Sequence, residues 1–395
     1  MVTATGNPVT VQHILQQYHH SSSHPHVQRV MAQLKKCKTS ELGFHLYKCN
    51  NDDCAQFKYL YHGCRNRHCP QCGGFKKDEW IEDRRRELLP VPYFHVVFTL
   101  PHELNSIILG NRQQLFRLLF DASAQTLLAF ANDKHHLGAA PGIISVLHTW
   151  GQDMSFHPHV HCIVSGGGTE KNTDGSYSWK NARRIKDNFL FPINAMRIVF
   201  RAKFLAGLKS LHENKLIQLP QGYNLQQLIN NLYKKKWNLY AKAPCAGPQQ
   251  VIEYLGRYTN KVAISNYRMA ENDLQNGNVT FKYKDYADGN QTKLMTLKGP
   301  EFVRRFEQHI LPPKFTKIRS YGYLSNRGRT MRMEEITVAM KIPPHPPKVK
   351  TPWTVRLFEK FGIKHTTCPH CKKESLELIG ENYPHRHIRK IIDDS

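Results

Sequence analysis

The stretch that most constrains the fold of this chain is residues 142–168, where two apolar runs flank a short polar turn. The first run covers residues 143–150 and the second covers residues 159–164, with Gly151 to Ser155 between them. Apolar runs of this length around a turn of small and polar residues are typical of a β-hairpin. We therefore predict an antiparallel hairpin near the middle of the chain.

The second strand of this hairpin carries histidines at alternate positions. His157, His159 and His161 share one parity, so they project from one face of a strand. A pleated strand holds such side chains rigidly, which makes His159 and His161 a good platform for a metal ion. A histidine-rich exposed strand without a ligand fits the same spacing, and the spacing alone does not separate the two interpretations.

The charge of the chain favours a polyanionic partner. Its 395 residues include 56 Lys+Arg against 31 Asp+Glu, a net charge of +25, which favours nucleic acid first and a membrane surface second. No apolar run approaches the length of a bilayer, and the first residues contain no apolar signal-peptide core. We therefore expect a cytosolic protein without a membrane partner, built from two or three domains.

A cysteine-rich segment precedes the hairpin. Residues 37–72 hold six of the ten cysteines, and in a cytosolic chain such residues are expected to be metal ligands rather than disulfides. Cys49 with Cys54 and Cys69 with Cys72 form two knuckles, which together can bind one tetrahedral zinc ion. Further residues could form a second site, or one of them could replace Cys54. They are Cys37, His45, Cys64 and His68.

Elements around the hairpin predict the fold class. Residues 76–90 have the pattern of a charged helix, residues 93–100 that of a strand, and residues 104–130 that of a long helix. With the hairpin, the order strand, helix, strand, strand predicts an α+β fold with a largely antiparallel sheet.

Basic residues occur in two places that suit DNA. Four lie around the knuckles, where they could contact phosphates: Arg65, Arg67, Lys76 and Lys77. Farther on, Lys234 to Lys236 precede Trp237, which suits a single strand with its backbone on the charges and a base on the ring. A solvated basic face and a core tryptophan at a helix end fit these patterns as well.

Two tyrosines share one face of a predicted helix over residues 248–265. Tyr254 and Tyr258 are four residues apart, and Lys261 lies three residues beyond on the same side. Core packing is the structural alternative for this pair. Near the end of the chain, Cys368 and Cys371 form a further Cys-x2-Cys pair, followed by His385 and His387, which is a weaker indication of a zinc site.

Four stretches together resemble the HUH-type two-tyrosine rolling-circle transposases of bacterial insertion sequences, the insertion-sequence-91 family. They are residues 64–72, 98–101, 157–161 and 254–258, in the order expected of the family. The name HUH stands for His, bulky hydrophobic residue, His, which here is His159-Val160-His161, and the family tyrosines correspond to Tyr254 and Tyr258. The segment from Tyr258 to Lys261 is also similar to the Tyr-x-x-Lys motif of plasmid rolling-circle initiators.

The resemblance implies a fold and a division into domains. It implies an N-terminal zinc-ribbon-like module followed by an HUH endonuclease domain with a mostly antiparallel, palm-like sheet. The boundaries we expect are residues 1–90 for a zinc-binding DNA-contact module, 91–330 for the nuclease domain, and 331–395 for a basic, Pro-rich linker and tail with the Cys-x2-Cys knuckle.

The resemblance also implies a chemistry. A tyrosine would attack a phosphodiester, leaving a 5′-phosphotyrosine and a free 3′-OH, with Lys261 assisting and no nucleotide cofactor. It implies a structural Zn²⁺ in the cysteine module and a catalytic Mg²⁺ or Mn²⁺ on His159 and His161, whereas imidazoles alone would suggest zinc or manganese. The third ligand of the catalytic ion stays open among three candidates. These are His148, Gln152 and His157.

The implied partner is DNA, preferentially single-stranded or in the hairpin ends of a mobile element, and the implied location is the bacterial cytoplasm in association with the nucleoid. Two other functions fit parts of the sequence. A plasmid replication initiator or relaxase shares the nuclease core, although the N-terminal zinc module argues against it. A zinc-containing DNA-binding regulator without enzymatic activity would need neither tyrosine.

Overall fold

A computed structural model describes residues 9–22, 24–72, 74–182, 190–245, 251, 256, 262–270, 274, 276–286, 288–343, 351–383 and 386–390. The α-helices are α1 (Val11–Tyr18), α2 (Pro25–Lys35), α3 (Gly74–Arg85), α4 (Asn105–Gly110), α5 (Arg112–Asn132), α6 (Ile193–Glu213), α7 (Leu225–Lys234), α8 (Gly299–Gln308), α9 (Arg329–Ala339) and α10 (Trp353–Phe361). Short 3₁₀ segments occur at Ser40–Leu42, His102–Leu104, Asn266–Arg268 and Gly322–Leu324. The strands are β1 (Phe44–Cys49), β2 (Phe57–Tyr61), β3 (Tyr93–Thr99), β4 (Ala140–Trp150), β5 (Phe156–Lys171), β6 (Tyr177–Asn181), β7 (Leu239–Cys245), β8 (Asn278–Asp285), β9 (Gln291–Lys298), β10 (Ile318–Tyr321), β11 (Leu376–Tyr383) and β12 (Arg386–Lys390).

The predicted hairpin forms the centre of a six-stranded antiparallel sheet. The strand order is β10-β4-β5-β3-β7, and β6 pairs with the far end of β5. This topology confirms the predicted α+β class with a mostly antiparallel sheet. β5 is flanked by β4 on one side and β3 on the other, so its side chains have fixed neighbours on both sides.

The two faces of this sheet differ in chemistry. Phe94, Val96 and Phe98 of β3 are buried in one cluster with Val160 and Cys162 of β5. Large apolar side chains of the two long helices α5 and α6 belong to the same cluster: Phe116, Phe120, Phe200 and Phe204. Because side chains alternate along a strand, residues of the other parity lie on the opposite face, away from these helices. The histidines of β5 are on that opposite face.

The last described strands of the chain belong to the N-terminal module. β11 pairs antiparallel with β1, and the strand order of this second sheet is β12-β11-β1-β2. The expected separation of residues 331–395 as a linker and tail therefore does not describe the structure. β1 needs a hydrogen-bonding partner on each side to avoid an open sheet edge. That partner comes from more than 300 residues away, which short-range sequence patterns do not reveal.

The first two helices also pack against elements beyond residue 90. Buried side chains of α1 and α2, such as Ile14 and Met31, share a core with Phe281 of β8 and Phe302 of α8. The boundary expected at residue 90 is therefore crossed by packing contacts as well. Among the residues that the structure describes, no helix is long and apolar enough to cross a membrane.

Two residues from the predicted DNA-contact patterns, Trp237 and Arg67, have structural roles. Trp237 is 1% exposed, contacts Phe200 and Phe204, and donates its Nε1–H to the carbonyl oxygen of Leu232 at 3.1 Å. The hypothesis that a base stacks on this ring is therefore wrong. Arg67 donates to the carbonyl oxygens of Phe315 and Pro312, so its guanidinium holds a loop. The side chains of Lys76 and Lys77 lie outside the described residues.

Gly322 offers a test of how β10 is joined to the central sheet. Its φ is +64°, and a Cβ at this position would overlap the carbonyl oxygen of Pro141 at the start of β4. Gly289 is the matched control, since its φ is +58° and a Cβ there would meet open space. Gly289→Ala should cost about 1 kcal/mol of unfolding free energy from backbone strain alone. Gly322→Ala should cost at least about 2 kcal/mol more, because β4 must shift. Equal losses in chemical denaturation would contradict this packing.

Candidate functional site

Three histidines converge on the face of the central sheet that is opposite α5 and α6. His159 and His161 come from β5, and His148 of β4 is the register partner of His159. One ring nitrogen from each lies within 4.8 Å of the others, and the Nε2 atoms of His159 and His161 are 3.1 Å apart. Two nitrogens bound to one ion at about 2.1 Å and at roughly a right angle lie about 3.0 Å apart. The arrangement therefore fits a metal ion.

Hydrogen bonds on the outer side of these rings favour the form that binds metal. The Nδ1 of His159 is 2.7 Å from the carbonyl oxygen of His157 and must donate to it, so in the neutral ring the lone pair is on Nε2, the atom that faces the group. The Nδ1 of His161 is 2.9 Å from the Nε2 of His95. With His161 donating to His95, its Nε2 also keeps a lone pair. Outer partners of this kind fix the orientation and the tautomer of a metal ligand.

His95 is a site residue that the sequence analysis missed. It lies on β3, is buried, and stacks its ring on that of His161 with centroids 5.2 Å apart. Burial lowers the pKa of His95 to about 3, so the ring is neutral at pH 7 and able to accept a hydrogen bond. Its parity was the available signal, because His95 alternates with the core residues Phe94 and Val96.

Of the three candidates for the third ligand, the geometry supports His148. The ring of His148 is buried and stacks on Trp150. The centroids of the His148 and His161 rings are 4.6 Å apart. The hairpin register explains this position, since His148 faces His159 directly. The ring of His157 is outside the group, although its backbone oxygen is used. Gln152 donates instead to the hydroxyl of Tyr286 at 3.0 Å.

A small cavity of about 30 Å³ adjoins the histidines through Trp150. Lys317, which immediately precedes β10, places its Nζ 5.1 Å from the centre of the Trp150 ring. Burial, with a smaller effect from the nearby Arg67 guanidinium, lowers the pKa of Lys317 to about 7. The cavity lining therefore combines basic side chains with the Trp150 ring, and Lys317 can lose its proton near neutral pH. The lining also includes His68, His309 and Val262.

Eight of the ten cysteines form two separate groups of four. In the first, the sulfur of Cys37 lies 3.4 Å from those of Cys69 and Cys72, and Cys64 lies 3.9 Å from Cys72. All four ligand atoms are within 4.8 Å of one another. A hydrogen bond with Cys37 is the main cause that lowers the pKa of the Cys72 thiol. This group has the donor set of a structural zinc site.

The prediction that Cys49 and Cys54 share one site with Cys69 and Cys72 is wrong. Cys49 is the last residue of β1. Together with Cys54 it lies close to Cys368 and Cys371 instead. The other two open candidates are in neither group. His45 faces the carboxylate of Glu381 at 3.2 Å, and the Nε2 of His68 accepts the backbone N–H of Leu311 at 3.4 Å.

Several predicted residues lie outside the described part of the chain. Tyr254, Tyr258 and Lys261 are among them, so their position beside the histidines stays a prediction. The same is true of His385 and of the side chain of His387.

Two family models match the chain. The model described as "Transposase zinc-binding domain" matches residues 10–100, and the model described as "Putative transposase" matches residues 142–331. The first match contains all four cysteines of the first group. The second contains the three converging histidines and the predicted tyrosine pair.

Two curated relatives are similar over most of their length. A protein of Sinorhizobium fredii named "Putative transposase y4qJ" is 39% identical over 370 residues, which cover 91% of this chain and 90% of the relative. The transposase for insertion sequence element IS801 of Pseudomonas savastanoi pv. phaseolicola is 31% identical over 317 residues. The similar region covers 78% of this chain and 72% of the relative. The chain therefore belongs to this family of insertion-sequence transposases.

Solved structures of the relaxase TrwC are similar to part of the chain. One, complexed with a 27-mer DNA, is 16% identical over 33% of this chain and 48% of that chain, with a TM-score of 0.22. Another, a metal-bound structure with DNA, is 12% identical over 43% of this chain and 74% of that chain, with a TM-score of 0.23. These TM-scores are too low to define the fold.

The three-histidine group predicts a specific pattern of metal affinity. His148→Ala, His159→Ala and His161→Ala should each weaken Mn²⁺ binding by about 100-fold or more, because each removes a ligand nitrogen. His95→Ala should weaken it by about 10- to 100-fold, since it removes only the partner that orients His161. Electron paramagnetic resonance of free Mn²⁺ measures these affinities.

His157→Ala is the matched control for this series. It removes an imidazole from the same strand face but keeps the carbonyl oxygen that accepts from His159. Its Mn²⁺ affinity should stay within a factor of about two, because no ligand is lost. A loss as large as that of His148→Ala would show that the third ligand has been misassigned.

Proposed function

We propose that this chain is a transposase that cuts and rejoins single strands of DNA in rolling-circle transposition, with a tyrosine as nucleophile. The observation that carries the proposal is the convergence of His148, His159 and His161 on one sheet face of a strongly basic chain in a family of insertion-sequence transposases. Three imidazoles from a rigid hairpin leave further coordination positions for a substrate phosphate.

The chemistry follows from the groups involved. The hydroxyl of Tyr258 or Tyr254 gives up its proton as its oxygen attacks the scissile phosphorus in line, the bond from phosphorus to the 3′-oxygen breaks, and that oxygen takes up a proton. The product is a 5′-phosphotyrosine and a free 3′-OH. A later attack by a 3′-OH reverses these steps and rejoins DNA. The phosphotyrosine retains the bond energy, so no nucleotide cofactor is needed, and two tyrosines allow two successive transfers.

The histidines would hold Mg²⁺ or Mn²⁺ at this centre. An ion there would polarise the scissile phosphate and offset the charge that develops on it. His95 and the carbonyl oxygen of His157 keep the ligand rings in position. Lys261, three residues beyond Tyr258 in the sequence, would help to hold the phosphate near the nucleophile.

The N-terminal sheet supports a preference for single-stranded or hairpin DNA. Phe57, Tyr59 and Tyr61 share one face of β2 and are 52%, 52% and 40% exposed. The rings of Tyr59 and Tyr61 are nearly parallel, with centroids 6.2 Å apart, and Phe44 of β1 contacts both edge-on. Lys48, the register partner of Phe57, is exposed beside them. Exposed rings next to a cation form a stacking platform for unpaired bases.

The two other functions are less well supported. A plasmid initiator or relaxase would use the same chemistry. Both curated relatives, however, are named as transposases, and this chain is similar to each of them over most of its length. A regulator without enzymatic activity would have no use for three converging imidazoles. Covalent attachment to DNA separates the enzyme from the regulator, and excision of a marked element in cells separates a transposase from an initiator.

Tyrosine substitutions test the nucleophile. Tyr258→Phe removes one oxygen and almost no volume, so the fold should survive while the covalent adduct with a single-stranded oligonucleotide falls at least about tenfold. Tyr254→Phe should keep the first cleavage and block complete strand transfer. The double variant should form no adduct in denaturing gel electrophoresis.

Tyr267→Phe is the control, because Tyr267 is 80% exposed and is outside both motifs. It should form adduct at the wild-type level. A normal adduct yield in the double variant of Tyr254 and Tyr258 would eliminate the tyrosine mechanism and leave the regulator as the better explanation.

Substitutions on β2 test the DNA-binding platform. Tyr59→Ala with Tyr61→Ala should weaken binding to a single strand at least about tenfold, since stacking contributes roughly 1–3 kcal/mol per base. Binding to a duplex should change much less. Fluorescence anisotropy at one fixed salt concentration gives both affinities. Leu60→Ala, on the opposite face of the same strand, is the control, and an equal loss in that variant would point to damage to the sheet.

A further inference from the structure

We propose that Cys49, Cys54, Cys368 and Cys371 bind a second structural zinc ion, which fastens the C-terminal strands of the chain to its N-terminal sheet. The sulfurs of Cys49 and Cys371 are 3.7 Å apart, and those of Cys54 and Cys368 are 3.8 Å apart. All four ligand atoms lie within 4.8 Å of one another. Four thiolates around one zinc ion at about 2.3 Å, at tetrahedral angles, have their sulfurs about 3.8 Å apart.

Two tight turns present these sulfurs. The backbone N–H of Cys54 donates to the oxygen of Asn51 at 2.8 Å, and that of Lys372 donates to the oxygen of Cys368 at 2.9 Å. Lys372 has a φ of +63°, which lets the chain reverse directly after Cys371. Backbone N–H groups of Cys371 and Lys373 point at the sulfurs of Cys368 and Cys371. Such N–H donors stabilise thiolates, the form that binds zinc.

Polar groups around the quartet complete an outer shell. The hydroxyl of Ser375 is 2.9 Å from the sulfur of Cys49 and 3.7 Å from that of Cys371. Zinc binding to four thiols releases four protons and leaves a site with two negative charges. Lys372 and Lys373 directly follow the last ligand and place positive charge beside it. The amine of Lys373 is held near Asn51, at 3.3 Å from its Oδ1.

Sheet pairing explains why residues so distant in sequence meet. β1 and β11 are antiparallel, with Cys49 as the register partner of Leu376, and the N–H of Asn50 donates to the oxygen of Ser375 at 2.7 Å. The same pairing that completes the second sheet therefore brings the two turns together. Cys49 and Cys368 are both buried in a small cluster with Tyr47 and Leu376. A disulfide accounts for only two sulfurs at a time and requires a separation of about 2.05 Å.

This site differs from the zinc site expected in the matched N-terminal family domain. That match ends at residue 100, and the first cysteine group lies wholly within it. The second group needs two ligands from the C-terminal segment, so the zinc-binding module of this chain includes residues 368–371. The ion would then link positions more than 300 residues apart, and the order of β11 would depend on it.

Zinc content of the full-length protein tests this proposal, with the histidine site removed from every sample by His159→Ala and His161→Ala so that the counts report on the cysteine groups. Native mass spectrometry with elemental analysis should find two zinc ions per chain with all cysteines intact and one in the double variant Cys368→Ser with Cys371→Ser. Hydrogen exchange of the β1 and β11 amides should be at least about tenfold faster in that variant, because the two strands lose their link. Cys162→Ser is the matched control, since Cys162 is buried but belongs to neither group, and it should keep two zinc ions.

Other outcomes would overturn the proposal. These are one zinc ion with all cysteines intact, two in the double serine variant, or one zinc ion with a mass lighter by two hydrogens, which indicates a disulfide. If the serine variant does not fold, the variant Cys371→His tests whether residue 371 is a zinc ligand, because it replaces a thiolate ligand by an imidazole ligand. It should keep two metal ions, and its Co²⁺ form should show weaker thiolate charge-transfer absorption than the chain with all cysteines intact. Loss of one ion from Cys371→His would contradict the assignment. None of these measurements depends on DNA cleavage.

Discussion

The antiparallel pairing of β4 with β5 is the interaction on which the rest of the site depends. Its register puts His148 opposite His159 and turns Leu147, Val160 and Cys162 toward the core formed with α5 and α6. A slip of the register by one residue would exchange the two faces and bury the imidazoles among phenylalanines. Burial of the apolar face therefore also fixes the positions of the histidines on the opposite face. β3, on the other side of β5, adds His95 behind His161.

A second constraint is the need to satisfy sheet edges. β1 and β2 alone would form a two-stranded ribbon, which is marginally stable in water. β11 adds a third strand from the other end of the chain, and with it come Cys368 and Cys371. The cysteine quartet and the strand pairing therefore support each other, which makes the N-terminal sheet a product of both chain ends.

The fate of aromatic residues shows how burial decides between structure and function. Trp237, next to three lysines, is a core residue, because α6 supplies Phe200 and Phe204 as neighbours. Tyr59 and Tyr61 of β2 stay exposed among the residues that the structure describes. Both patterns combine rings with positive charge in the sequence. The neighbouring element determines which ring is accessible to a base, and no local spacing encodes it.

The sequence by itself determined what local backbone geometry controls: the hairpin, the antiparallel α+β class, and the projection of His159 and His161 from one face, because side chains alternate along a strand. It also carried the family motifs and the charge. The structure decided which distant groups meet: His148 as the third imidazole, His95 behind the pair, and the division of eight cysteines into two quartets. These choices depend on strand register and on pairing between remote segments. Register and remote pairing are determined by the burial of apolar faces and by the backbone hydrogen bonds of the whole chain. The spacing of residues within a motif contains no information about either.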